Sequence, residues 1–239
     1  MLKRGAWKAK SESSTASILR LSSLDMPFLT FIGQQYKEIE QSIYQAAGKI
    51  AVKKGVEHIS LRSVAEEAEM DIGVLNRRFK DDDDLIREYT KRYDFFINDL
   101  LVSVNPDEFT SPRSYFESLA NVFVKQLHRN KEMQAIMRWE MSYDTALTRR
   151  RSARKRDELL SEVSPQISSR ISPSYGCDPN AILAVLVAGM YYIVLRENRS
   201  SFCGIVFNSK EGRKTLSEAL SITIAPFLED SSTSSSSLD

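Results

Sequence analysis

The chain is short of cysteine, glycine and proline, has no surplus of either charge, and lacks an apolar run long enough to cross a bilayer. Each shortage removes a class of protein. Its two cysteines, Cys177 and Cys203, lie far apart and form no CxxC pair. That excludes a disulfide framework and a cysteine metal site, and it points to a reducing, cytoplasmic setting. Nine glycines and seven prolines in 239 residues fall well below the roughly 12% of an average chain. So few breakers favour long helices with few turns. Thirty-three basic and 32 acidic side chains leave a net charge of +1. This excludes a polybasic nucleic-acid coat and an acidic solvating protein, but not a local basic surface. Behind the basic start MLKRGAWKAK there is no apolar run of about 7–15 residues, so no secretory signal is expected. The longest uncharged apolar run, Ala181–Leu195, falls short of the ~20 residues of a membrane span. No membrane partner is expected. A helix so apolar on every side belongs in a core or a subunit interface.

With 42% apolar and 27% charged residues, the remainder reads as a soluble globular protein. Residues 1–33 carry no sustained period and read as a flexible arm, within which Met26 is an alternative start to Met1. Ser231–Asp239 (SSTSSSSLD) reads as a disordered tail. Between them the periodicity is helical. Ile39, Ile43, Ala47, Ile50 and Ala51 share one face, and Gly55 suits a helix stop. Ser60 suits the N-cap of a short helix with Leu61, Val64, Ala65 and Ala68 inward. After a break at Met70-Asp71, a second short helix runs from Ile72 to Phe79. Asp81 opens a long helix over about 82–102. Further helices are expected over Pro112–Leu127 and Lys131–Leu160, the second broken near Tyr143–Thr148. Asp178-Pro179 opens another to about Asn198, and a last one runs from Asn208 or Ser209 to Leu228. The coarse boundary lies near residue 104.

Two short helices with a tight break, behind a longer one, describe a helix-turn-helix or a plain helical corner. The second helix of such a pair fits the DNA major groove, about 12 Å wide. Residues 36–101 resemble the N-terminal domain of the TetR family of bacterial regulators. The matching pattern is Ile43, Ala46-Ala47, Gly55, Ile59-Ser60-Leu61, Val64-Ala65, Ala68, Gly73, Leu75, Phe79 and Leu85. The resemblance implies an all-α fold, with a three-helix helix-turn-helix domain over 34–104. A larger helical domain for ligand binding and dimerisation would follow over 105–230, before the tail at 231–239. It implies double-stranded operator DNA as a partner, a homodimer through the last two helices, and a small, apolar effector that releases the DNA. Repression is the usual outcome. The DNA surface it implies comprises Ser60, Arg62, Ile72, Gly73, Val74, Asn76, Arg77 and Arg78. Arginine suits that surface because its fork holds guanine O6/N7 or a phosphate bidentately. Effector contacts are expected among Phe116, Phe123, Met137, Trp139, Met141, Tyr143 and Tyr191, since aromatic and methionine linings suit apolar ligands.

Three positions depart from the family. Glu69 stands where it usually has Gly, Asn76 where it has Tyr, and Asp82 where it has Lys. Asp82 falls inside four consecutive acids, Asp81–Asp84. The run suits a helix start, where carboxylates gain roughly 0.3–1 kcal/mol each from the helix dipole. Beside DNA the same charges repel phosphate, and over residues 36–84 the acids outnumber the bases. The rival reading is therefore a ligand-binding or interaction protein on the same fold with a degenerate helix-turn-helix. In either case N-terminal Lys3, Arg4, Lys8 and Lys10 offer cations. Arg149–Arg156 (RRRSARKR) reads as a solvated helix face, or as a second basic patch. His58 and His128 have no metal-ligand spacing and no triad arrangement around them. Neither an enzyme nor a cofactor is expected.

Overall fold

A computed structural model describes residues 26–145, 147–148, 171 and 178–228, with side chains from Gln34 onward. The expected arm up to Asp25, the Arg149–Arg156 run, Cys177 and the serine tail lie outside the described residues. The described chain is helical, with only an isolated bridge between Phe202 and Ile205 outside the helices and turns. The all-α expectation therefore holds over the described residues. Residues 1–46 and 47–239 form two compact units.

Helix α1 spans Met26–Lys53, so the last eight residues of the expected arm are helical. Pro27 does not prevent this, because proline is tolerated in a first helical turn. The first unit holds the N-terminal part of α1, and the second begins at Ala47. The predicted apolar face is buried at Ile43, Ala47, Ile50 and Ala51, while Ile39 is half-buried. The helix stops at Gly55, whose φ of 112° is open to glycine and strained for other residues.

The second unit continues through a short turn, Val56–His58, into α2 (Leu61–Glu67) and α3 (Ile72–Asn76). Helices α4 (Asp82–Lys91) and α5 (Phe96–Val102) follow. The single helix expected over 82–102 is thus interrupted. At Arg92, Tyr93, Asp94 and Phe96 the backbone N–H groups bond to carbonyls three residues back, a tighter turn than the α-helix. Asp94 is buried within it. Helices α6 (Pro112–Arg129) and α7 (Lys131–Ser142) come next. Helix α8 covers Pro179–Arg196 and α9 covers Lys210–Ile224. Caps read from the sequence are in place at Ser60, Asp81, Asp178 and Ser209. The break after Ser142 coincides with extended backbone at Tyr143.

The core of this unit gathers around α6. Tyr115, Phe116, Leu119, Phe123, Val124 and Leu127 meet Met133 and Met137 of α7, Met190 and Val194 of α8, and Leu216 and Ile224 of α9. One buried charge is held within this packing. Glu197, at the end of α8, has a side chain only 1% exposed. His128 Nδ1 lies 2.8 Å from one of its oxygens and 2.9 Å from the other, and Lys131 Nζ is 2.9 Å away. A carboxylate only accepts, so the proton sits on Nδ1. His128 is therefore a structural brace, in keeping with its lack of catalytic company in the sequence.

Helix α8 is long and apolar enough to cross a membrane by length and composition. It is mostly uncovered within one chain: Val185 is 71% exposed and Tyr192 50%. Ile222 of α9 is 65% exposed.

Candidate nucleic-acid interface

The α2–α3 corner is built from its caps. Ser60 Oγ accepts the N–H of Ser63 at 3.0 Å, and Ser63 Oγ accepts the N–H of Ser60 at 2.9 Å. This is a capping box with serine in the place usually taken by Glu or Gln. Val64 and Ala65 are buried beneath α2. Small side chains there let α3 approach closely. Helix α3 starts at Asp71, whose carboxylate accepts the N–H of Gly73 at 2.7 Å. It ends at Asn76, three residues before the expected end at Phe79. Turn hydrogen bonds from Arg78 and Phe79 to Leu75 continue the coil. Leu75 and Phe79 anchor α3, both buried.

With that anchor set, the outward face of α3 is fixed. Ile72, Asn76 and Arg77 are exposed, while Gly73, Val74 and Arg78 are half-buried. On α2, Arg62 is 84% exposed at its side chain and 3.8 Å from Glu66. An exposed pair so far apart holds the arginine only weakly. Ser60 is half-buried, its hydroxyl engaged with Ser63. The structure thus puts Arg62, Ile72, Asn76 and Arg77 on the exposed surface of one corner, with the other four expected residues partly inside it.

Between the two helices the backbone is strained at Glu69, with φ of 51°. This is the left-handed region that glycine enters without cost. It is also the position where the resembled family usually has Gly.

Three of the four acids in the run accept backbone amides. Asp81 accepts from the N–H of Asp84 at 2.8 Å, and Asp84 accepts from the N–H of Lys80 at 3.1 Å. Asp84 also pairs with Arg87 at 2.8 Å. Asp82 reaches across 21 residues to accept the N–H of Leu61, the first amide of α2, at 2.7 Å. The sequence gives no sign of this last bond, because its partners are far apart and neither belongs to a motif.

The seven expected effector residues are not all brought together. Phe116, Phe123 and Met137 lie in the α6-centred core, with Tyr191 packed against it. The Phe123 and Tyr191 rings are 6.3 Å apart. Trp139 is buried outside that cluster. Met141 is 67% exposed and Tyr143 44% exposed, on the last turn of α7 and just beyond it. Tyr143 instead donates a long hydrogen bond to Glu57, at 3.4 Å. Their residue types suited an apolar lining; the structure places both at the surface.

Helical over its described residues, with a capped helix-turn-helix ahead of helices gathered on α6, the chain has the fold of TetR-family transcriptional regulators. Solved structures of that family superpose on most of it. A TetR-family regulator from Streptomyces coelicolor is 15% identical, with a TM-score of 0.60 over 85% of this chain and 96% of that one. One from Marinobacter aquaeolei is 15% identical, with a TM-score of 0.57 over 80% and 97%. The transcriptional regulator FadR from Bacillus subtilis, solved with stearoyl-CoA, is 13% identical, with a TM-score of 0.56 over 78% and 98%. No protein-family model and no curated protein sequence matches the chain.

Proposed function

We propose that the chain is a TetR-like regulator that binds double-stranded operator DNA through α2–α3 and is released by a small apolar ligand. The observation that carries this reading is the corner itself. Leu75 and Phe79 are buried, and Arg62, Ile72, Asn76 and Arg77 face outward from one tight turn. In this reading residues 34–104 contact DNA and residues 105–230 bind ligand and dimerise. Arg77 and Asn76 meet base edges or phosphates, and Arg62 contacts the backbone. The exposed apolar side chains of α8 and α9 support a homodimer, since a patch of this kind is normally covered. A dimer sets two α3 helices about 34–36 Å apart, one turn of DNA. Ligand binding that favours a different spacing lowers DNA affinity by shifting the population. The stearoyl-CoA of the FadR neighbour supports an apolar effector. So does the aromatic and methionine content of the α6-centred core. Repression is the outcome this scheme gives.

Selection from a random duplex library tests it. A palindromic consensus with half-sites one turn apart is the expected result. Recovery of no preferred sequence would reject it.

One observation favours a second reading, a ligand-binding protein with a degenerate helix-turn-helix. Asp82 places a carboxylate on the first amide of α2, where the family's lysine would meet phosphate. Under that reading selection recovers nothing, yet an apolar ligand still binds.

A further inference from the structure

The turn between α6 and α7 borders an open cleft of about 460 Å³, within the size range of small-molecule sites. None of the seven expected effector residues lines it. One wall is apolar: Val52 near the end of α1, 43% exposed, and Phe96 at the start of α5. The other wall is polar, with Gln126, Arg129, Asn130 and Glu132, and with Lys131 beside them.

What each polar group has left decides the ligand. Lys131 is engaged by Glu197. The Glu132 carboxylate is engaged from within: the hydroxyls of Tyr89, at 2.8 Å, and of Tyr93 both donate to its Oε2. The carboxylate fits because residue 48 is glycine; a Cβ there would come within 2.5 Å of it. Asn130 uses its side-chain oxygen to cap the N–H of Met133 at 2.9 Å. Asn130 Oδ1 and Glu132 Oε2 are therefore taken as acceptors, and donors remain. These are the Asn130 and Gln126 amide groups and the Arg129 guanidinium. Arg129 is exposed and forms no ion pair among the described residues. A guanidinium fork holds two oxygens of one anion, and the Val52–Phe96 wall covers an apolar tail.

We propose that this cleft binds a small amphipathic anion, a carboxylate or phosphate monoester with a short apolar tail, through Arg129. Hexanoate and hexyl phosphate are the probes, titrated by calorimetry into the full chain. Hexylammonium and hexanol serve as controls. Saturable binding of at least one anion, with neither control binding, is the expected result, and the tighter anion identifies the headgroup. Arg129→Gln should weaken it about tenfold or more, and Val52→Asp should also weaken it. Arg113→Gln, at the far end of the same helix, should leave it unchanged. The proposal is overturned if neither anion saturates or if the controls bind equally well. It also fails if Arg129→Gln binds like the wild type, which would place the anion in the apolar core instead. No DNA is involved, so this result stands or falls separately from operator binding.

Discussion

The carboxylate of Asp82 accepts the backbone N–H of Leu61 at 2.7 Å, tying the first turn of α4 to the first amide of α2. A bond of this kind satisfies an N-terminal amide that has no partner within its own helix. Its charge also stands where an approaching phosphate would seek the same amide. Asp82→Lys should therefore act in two directions. Loss of the cap costs about 1 kcal/mol, read as a lower denaturant midpoint. Removing one negative charge and adding a positive one should raise DNA affinity several-fold at low salt, with a steeper salt dependence. Unchanged DNA affinity would show that Asp82 does not face the backbone of bound DNA.

Glu69 offers a prediction of the opposite sign. Its φ of 51° costs a side-chain-bearing residue about 1 kcal/mol relative to glycine. Glu69→Gly should thus stabilise the chain slightly, by up to about 0.6 kcal/mol once the extra freedom of glycine in the unfolded chain, roughly 0.4–1 kcal/mol, is set against it. Chemical denaturation measures this. A destabilised variant would mean that the turn is not held in the left-handed region.

The helix-turn-helix was legible in the sequence because its determinants are local. Ser60, Asp71 and Asp81 cap within three residues, and Val64, Ala65, Leu75 and Phe79 keep a strict inward spacing. The early start of α1 at Met26 was not legible, because residues 26–33 show no sustained apolar period. The interruption between α4 and α5 was hidden for another reason. Leu85, Ile86, Tyr89 and Tyr93 continue one helical stripe in sequence, while Tyr93 turns to Glu132, 39 residues on. Glu132 and Glu197 look like ordinary surface acids in sequence. Only long-range packing makes one a seat for two tyrosines and the other a buried ion. The exposure of Met141 and Tyr143 was not legible either, because residue type does not tell where a helix ends or which side chains it leaves at the surface.

The Tyr89–Tyr93–Glu132 cluster predicts the alkaline behaviour of the protein. Burial, and then the Glu132 carboxylate, raise the pKa of both phenols well above the ordinary value of 10; for Tyr89 the neighbouring Tyr93 adds to this. Both stay protonated in the folded chain while an unfolded chain would ionise. Their stabilising contribution is complete below about pH 10 and is lost as pH rises beyond it. A spectrophotometric titration should show at least two tyrosines that ionise only with unfolding. Tyr93→Phe should lower that number by one. If all tyrosines of the folded protein titrate near pH 10, the cluster is not formed.

The brace at the end of α8 can be tested by removing one side of it. His128→Ala leaves the buried Glu197 carboxylate with Lys131, itself 39% exposed, as its ion-pair partner among the described residues. The expected loss is about 2 kcal/mol, below the roughly 3–5 kcal/mol of a fully buried pair, read as a lower thermal midpoint. Glu197→Gln with His128→Ala should recover part of that loss, because no buried charge is then left short of partners. Equal midpoints for wild type and His128→Ala would contradict the brace.

DNA binding by the α2–α3 corner has a distinct signature in its salt dependence. Fluorescence anisotropy of the full chain on its own upstream DNA, and on any selected duplex, should be followed between about 50 and 200 mM salt. The expected complex loses affinity linearly on logarithmic axes as salt rises, and Arg77→Ala weakens it at every salt concentration without lowering the thermal midpoint. A chain that forms no salt-sensitive complex on any fragment, or one that Arg77→Ala leaves intact, would contradict it.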